Sequence, residues 1–575
     1  MFRESHVDNQ FSLKSSFYWM KEEHRQILAN GWAGCFRRNI TEKIDELPYA
    51  ALYSTLPSRP NAPVRVQIGM MLLEQIFRMT ETEVRNGTIF DMQIQYALGI
   101  ENTENIDISE RTLQRFRKAC LIYETTTGTD LLHNTIVALA KESAELMDID
   151  GTKLRMDSLM IESNIKTLSR IEILYQVSQD LVFAITGISK RSAMAFAKAQ
   201  SENTEQQSFI EEPTESPAII KAREIGMPEC LYHLLNPYDG NVVLYHSKKS
   251  VTEKREQILS DVKALMDFSK NGYTGLKEFS LFERAVNEQC KESYMTDDEG
   301  TPYVIYVLRS KGDGMNSSIL QNPSDPDATY RDKEGNHRGY VANVVEASNG
   351  DDSVVIGYTY DVNTTSDNEL GAKTLADLGK QDPEAHVTVA VDGAFAGNAI
   401  ENAAQENNIE LIHTNLTGKA TSTCHADHTL NADQTAIEKC AGGQTPIKTS
   451  VGKDGALNAT MDINICRVCP FFNECHPREN KTTAVLRLTQ KQIRRAIEVR
   501  SRGSAEFTKN SNFRNGVETI PSTLRRRYRI DEMPVRGLRR TRFRFGLSIG
   551  GLNFMKLWKF VKNGVSAPKI QSCIA

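Results

Sequence analysis

The sequence predicts an α/β protein with a mixed sheet, helices packed on its faces and an all-helical region ahead of it. Three stretches carry that expectation. GYVANVVEAS and SVVIGYTYDV alternate apolar and polar residues on either side of the turn NGDD, the pattern of an antiparallel hairpin. VTVAVDGAF, from Val387 to Phe395, opens on five β-branched or small apolar residues, the pattern of a fully buried strand, and stops at Asp392-Gly393, where a turn begins. A short helical stretch, NAIENAAQENN, then leads to another apolar strand, IELIHTN. The order of strand, strand, strand with acid, helix, strand suits a mixed sheet covered by helices.

At 575 residues, 40% hydrophobic and 25% charged, the chain is too long for one ordinary core, and no fibrous or disordered class fits. MFRESHVDNQ has no apolar core like that of a signal peptide. No stretch approaches the roughly 18 consecutive apolar residues of a spanning helix, so an intracellular protein without a membrane partner is expected. The net charge of -5 hides an asymmetry. From Lys481 to Lys562 about 21 Lys and Arg stand against about 5 Asp and Glu, a local excess of roughly +16. RRRYR and RGLRRTRFRF interleave arginine with aromatics, whereas solvated faces mix both signs. That favours phosphate contact, with Arg539, Arg540, Arg542 and Arg544 as candidates.

In chain order, residues 1 to about 130 read as helical. Helical spacing is visible in VRVQIGMMLLEQIFRM and in GTIFDMQIQYALGI, which ends at Gly99. A third helix is expected in ISERTLQRFRKAC, with Ser109 as N-cap and Arg111, Gln114, Arg115 and Arg117 projecting from successive turns. This is the outline of a helix-turn-helix reader of the major groove, and equally that of an amphipathic bundle helix. Met147 to Met160 follows as a first strand ending at Asp157, then a long helical stretch from Ile165 to about Ala199. Residues 200 to about 325 combine a polar linker, SENTEQQSFIEEPTESP, with helical patterns.

Three acids stand out. Asp157 and Asp392 are expected on strand ends, and Glu518 lies in the Arg-rich helical pattern FRNGVETIPSTLRRRYR. Carboxylates from several elements are what a two-Mg²⁺ phosphoryl-transfer site requires, because hard ions take oxygen ligands. Asp148 and Asp150 compete with Asp157, but strand alternation puts them on the opposite face. The bland reading of such acids is a turn residue or a structural ion-pair set. Among the ten cysteines, Cys466 and Cys469 form a C-x-x-C pair, with Cys475 six residues on and Cys440 upstream. Four thiolates can close a structural Zn²⁺ site, with Cys424, His425 and His428 as alternative ligands and reduced, unliganded cysteines as the alternative reading.

The set RMDSLMIESNIK, NPSDPDATYRDKEGNHRGY, VTVAVDGAF, IHTNLTG, CRVCPFFNEC and FRNGVETI resembles the DDE transposases of bacterial insertion sequences, most closely the IS1182-type group, along nearly the whole chain. The resemblance implies a ribonuclease-H-like catalytic core whose three acids align with Asp157, Asp392 and Glu518. In the signature Y-x2-R-x3-E-x6-K, Arg514 and Glu518 match, Arg525 stands in place of Lys, and Ser511 in place of Tyr. It further implies an N-terminal helical DNA-binding domain over 1–135, with Ser109 to Lys118 binding terminal inverted repeats. A catalytic core then spans 146–415 with a helical insertion at about 166–325, a cysteine-rich insertion spans 416–477, and the core ends over 478–562. Two Mg²⁺ or Mn²⁺ ions are expected, Asp157 bridging both and Asp392 and Glu518 each binding one. Double-stranded DNA, both element ends and target, is the expected partner. A homodimer in a cytoplasmic, nucleoid-associated setting completes the expectation. The competing readings are a catalytically inactive DNA-binding derivative and a sequence-nonspecific metal-dependent nuclease.

Overall fold

The structure, a computed structural model, describes residues 1–5, 15, 17–57, 59–100, 108–206, 215–236, 248–333, 335–414, 422–501 and 504–564, with the backbone alone at 200–206, 248–254, 491 and 498. Part of the polar linker, 207–214, and the last residues of IHTNLTG, 415–418, lie outside them.

Six strands form the central sheet: β1 (Lys153–Glu162), β2 (Thr329–Asp332), β3 (Asn336–Asn349), β4 (Asp352–Val362), β5 (Val387–Asp392) and β6 (Ile409–Thr414). Both β2 and β4 pair with one edge of β3, β2 along residues 336–339 and β4 along 340–349. The other edge of β3 pairs antiparallel with β1, and β1, β5 and β6 then run parallel. The sheet is therefore mixed, as expected, and it is compatible with a ribonuclease-H-like core. The β3–β4 hairpin turns at Asn349-Gly350, where Gly350 takes φ 61°, a left-handed conformation that glycine adopts without cost. From Gly339 to Ala347 β3 is buried on both faces, so the alternation expected of a half-exposed strand does not hold: the run is nearly all apolar, and its polar members, Asn343 and Glu346, are buried as well.

Residues 147–152 differ from the expectation. Asp148 adopts φ 54° and Asp150 accepts hydrogen bonds from the amide and hydroxyl of Thr152, so both lie in the turn before β1. Side chains that cap a turn compete with strand pairing, which is why the strand opens only at Lys153. Asp157 is consequently in the middle of β1 and not at its end.

The expected N-terminal helices are present as Val64–Phe77, Glu81–Phe90, Met92–Ala97 and Glu110–Thr127, with Ser109 accepting the Thr112 amide as the N-cap of the last. GTIFDMQIQYALGI is two helices, because Asp91 caps the second by accepting the amides of Gln93 and Ile94. Val64–Phe77 is buried along nearly its whole length and packs on the closing helix Leu538–Gly564, where Gly550 and Gly551 let the backbone approach Leu72, Ile76 and Ile136. One hydrophobic cluster runs from Ala33 through the sheet to Leu557, so the N-terminal helices and the sheet share a core.

The stretch after β1 breaks at Gly187, with φ 71°, into helices Arg170–Thr186 and Lys190–Gln206. With Pro217–Glu224, Lys248–Ser269 and Lys277–Gln289 it builds a second core around Leu174, Leu181, Val262 and Phe282. The helical reading of this region missed a hairpin, Cys290–Thr296 with Pro302–Leu308, whose first strand, CKESYMT, is mostly exposed and polar. After β6 the cysteine-bearing residues build a small antiparallel sheet from Lys448–Val451, Leu457–Asp462, Thr483–Leu488 and Arg478–Glu479, with its own core. Helices Gln490–Ser501, Ala505–Asn515 and Thr519–Tyr528 then return the chain to β1 and β5. Among the described residues no helix is long and apolar enough to cross a membrane.

Candidate active site

Register brings the first two acids together. β1 and β5 run parallel with Arg155 opposite Ala390, so two residues further along Asp157 comes level with Asp392. Asp392 closes β5 and accepts the amide of Ala394 at 2.6 Å, so it is also the turn residue of the bland reading. Glu518 arrives from the other end of the chain. Helix Ala505–Asn515 runs into the turn Gly516–Glu518, which places Glu518 just before Thr519–Tyr528 and not within it.

The three carboxylates meet on one side chain, Arg514. Its Nη2 lies 2.9 Å from Asp157 Oδ1 and 3.6 Å from Asp392 Oδ2, and its Nη1 lies 2.8 Å from Glu518 Oε1. The contact with Glu518 follows from i,i+4 spacing. Burial pushes the Asp157 carboxyl up to about 6; Arg514 opposes that shift, while Asp392 and Glu518 add to it. Three oxygen donors from three elements that already surround a cation are the kind of set a hard divalent ion requires.

Sequence reasoning missed the device that holds this geometry. Arg155 shares a strand face with Asp157, two residues away. Its Nε donates to Glu346 at 2.7 Å, its Nη1 donates to the Phe513 carbonyl at 2.8 Å, and its guanidinium lies 5.4 Å from the Phe513 ring. Glu346 is fully buried in β3 and also accepts from Lys556 at 2.6 Å. Burial alone would raise its carboxyl, yet Lys556 and Arg155 together hold it below the ordinary value. A Cβ on Gly516 would overlap the Arg155 guanidinium, so a larger residue there would push that side chain off its partners. The legible signal was an arginine at i−2 of the acid on a strand.

The NPSDP stretch is a second hidden anchor. Asp325 is fully buried and accepts from Tyr340 Oη at 2.6 Å, from the Gly537 amide at 3.0 Å and from the Ser163 hydroxyl, tying β3, the closing helix and the end of β1 together. Beside Asp157 and Glu518 opens a cleft of about 510 Å³ that also carries Lys333, His337, Arg525 and Asp531. Arg525 there donates to Asp531 at 3.1 Å and to the Met160 carbonyl at 2.8 Å.

The other arginines divide. Arg111, Arg115 and Arg540 are exposed, and Gln114 is exposed while donating to Glu81. Arg117 turns inward onto Glu74 and Glu81, and Arg542 onto Glu124 and Asp130, with Arg539 also at Glu124. Arg544 is half-buried near Glu74. The Arg539 and Arg542 pairs join the N-terminal helices to the closing helix, whereas those of Arg117 tie the N-terminal helices to one another.

Cys440, Cys466, Cys469 and Cys475 line one small cavity of about 30 Å³, with Gly442 between Cys440 and Cys469. Cys475 Sγ is also 3.8 Å from Cys424 Sγ, which is 3.7 Å from His425 Nδ1. Sulfur atoms bound to one tetrahedral ion at about 2.3 Å stand roughly 3.8 Å apart. His428 accepts the Ala441 amide through Nδ1, and burial, with His425 nearby, lowers its imidazole to about 4.

No curated protein and no solved structure matches the chain. Residues 439–558 match the family described as Transposase DDE domain, a span that contains the cysteines from Cys440 to Cys475, Arg514 and Glu518 but stops short of Asp157 and Asp392. That match supports a DDE transposase.

Proposed function

We propose that the protein is a transposase of the IS1182-type group that binds the terminal inverted repeats of an insertion sequence and catalyses metal-dependent strand cleavage and strand transfer. The observation that carries this reading is the convergence of Asp157, Asp392 and Glu518, from two strands and a late turn, on a single cation. Two Mg²⁺ or Mn²⁺ ions held by these acids would activate the attacking water and stabilise the leaving 3′ oxygen. Asp157, central and most buried of the three, would hold them together with Asp392 and Glu518. Lys333 and Arg525, in the adjoining cleft, hold backbone phosphates in register with the acids. The exposed Arg111, Arg115 and Arg540 supply further phosphate contacts, the first two from the N-terminal helices that read the element ends. A structural Zn²⁺ would be held by thiolates among Cys440, Cys466, Cys469 and Cys475, with Cys424 and His425, whose ligand atoms lie within 4.8 Å of that of Cys475, as the competing donors, and a homodimer brings two ends together.

The test is cleavage of a labelled duplex carrying the repeat that flanks the gene, in Mg²⁺, by the wild type and by Glu518→Gln. Cleavage at the repeat end by the first alone supports the reading. Binding without cleavage by both makes the protein an inactive DNA-binding derivative. Equal cutting of unrelated DNA by the wild type makes it a nonspecific nuclease.

A further inference from the structure

We propose that Arg514 is a resident counter-cation: it holds Asp157, Asp392 and Glu518 at one point before a divalent ion enters, and it competes with that ion for the same oxygens. The inference rests on the reading of these three acids as metal ligands. Three carboxylates drawn to one place repel one another, and a single guanidinium among them reduces the local charge from −3 to −2. The Arg514 side chain is only 7% exposed, so its charge must be paired.

Its bonding is what makes it exchangeable. Both terminal nitrogens go to the acids, while Nε is buried with no hydrogen-bond partner among the described residues. Arg155 differs in this respect: its Nε binds Glu346 and its Nη1 is fastened to the Phe513 carbonyl. Nothing in the bonding of Arg514 outlasts the departure of the carboxylates. A divalent ion that takes Asp157 Oδ1 and Glu518 Oε1 removes both short contacts and repels the guanidinium. The arginine is therefore a positioning residue that keeps the acids together in the metal-free protein, at the expense of apparent metal affinity.

The experiment is thermal unfolding of the full chain in EDTA and across a Mn²⁺ titration, for the wild type, Arg514→Gln, Arg514→Lys and Asp392→Asn. Arg514→Gln should unfold several degrees below the wild type in EDTA, yet reach half-maximal stabilisation at a Mn²⁺ concentration at least fivefold lower. Arg514→Lys keeps a charge on a single point donor and should fall between them. An unchanged or higher midpoint in Arg514→Gln overturns the proposal. If that variant does not fold in EDTA, the midpoint of Arg514→Lys decides in the same way, a lower value supporting the proposal and any other overturning it. If Asp392→Asn is stabilised by Mn²⁺ just as the wild type is, the metal reading of the acids fails and the proposal with it. A loss in Asp392→Asn with no shift in the arginine variants overturns only the role of Arg514.

Discussion

Two arginine–carboxylate clusters lie a few residues apart in this protein, and they are built on opposite charge balances. Around Glu346 two cations, Arg155 and Lys556, enclose one fully buried carboxylate deep in the sheet. Around Arg514 one cation is enclosed by three carboxylates, and Glu518 is 60% exposed. The first cluster satisfies its charge internally and ties β1, β3, the closing helix and the Phe513 carbonyl together. The second is left with excess negative charge at the edge of an open cleft. Charge satisfied in the interior holds the framework, and charge left unsatisfied beside an open cleft is available to a ligand.

Breaking the buried cluster should have the largest effect. Glu346→Ala strands two cations, and loss of one member of such a group costs about 3–5 kcal/mol, read as a lower midpoint in urea unfolding. Asp392→Asn should leave folding in EDTA nearly unchanged while reducing Mg²⁺-dependent cleavage by at least about 10²-fold, the reverse of the Glu346 result. Gly516→Ala forces a methyl into the Arg155 guanidinium and should cost about 1–3 kcal/mol, with a cleavage defect because Glu518 follows two residues later. The pH dependence sharpens the contrast further. Because Asp157 is raised from 3.8 to about 6, the native state binds its proton more tightly than the unfolded chain does, so stability in EDTA should fall as pH rises between those values. Asp157→Asn should flatten that slope in a stability series from pH 4 to 6.5. The smallest effect belongs to Arg539→Ala, which removes a half-exposed contact with Glu124 and should change stability by less than about 1 kcal/mol.

The same contrast separates what could be read from what could not. Asp157, Asp392, Glu518 and Arg514 were visible as residues, because acids beside apolar strand runs and an Arg-rich stretch leave local marks, although Asp157 proved to be mid-strand and Glu518 to precede its helix. Their convergence was not visible, since it depends on a parallel register between β1 and β5 and on a helix about 120 residues later in the chain. Arg117 and Arg542 read like surface arginines, but they face inward onto acids of distant helices, a pairing that spacing alone cannot reveal. Asp148 and Asp150 read as strand residues, and local hydrogen bonds put them in a turn.

By itself the sequence determined the mixed α/β class, the β3–β4 hairpin, the N-terminal helices and the cysteine cluster, because hydrophobic period, turn residues and caps act within a few residues of chain. Only the tertiary structure decided that the N-terminal helices share the core of the sheet, that Arg155 and Glu346 anchor the site, and that one guanidinium holds three carboxylates. Burial and charge pairing act through space between residues hundreds of positions apart, and no local pattern records which partners meet.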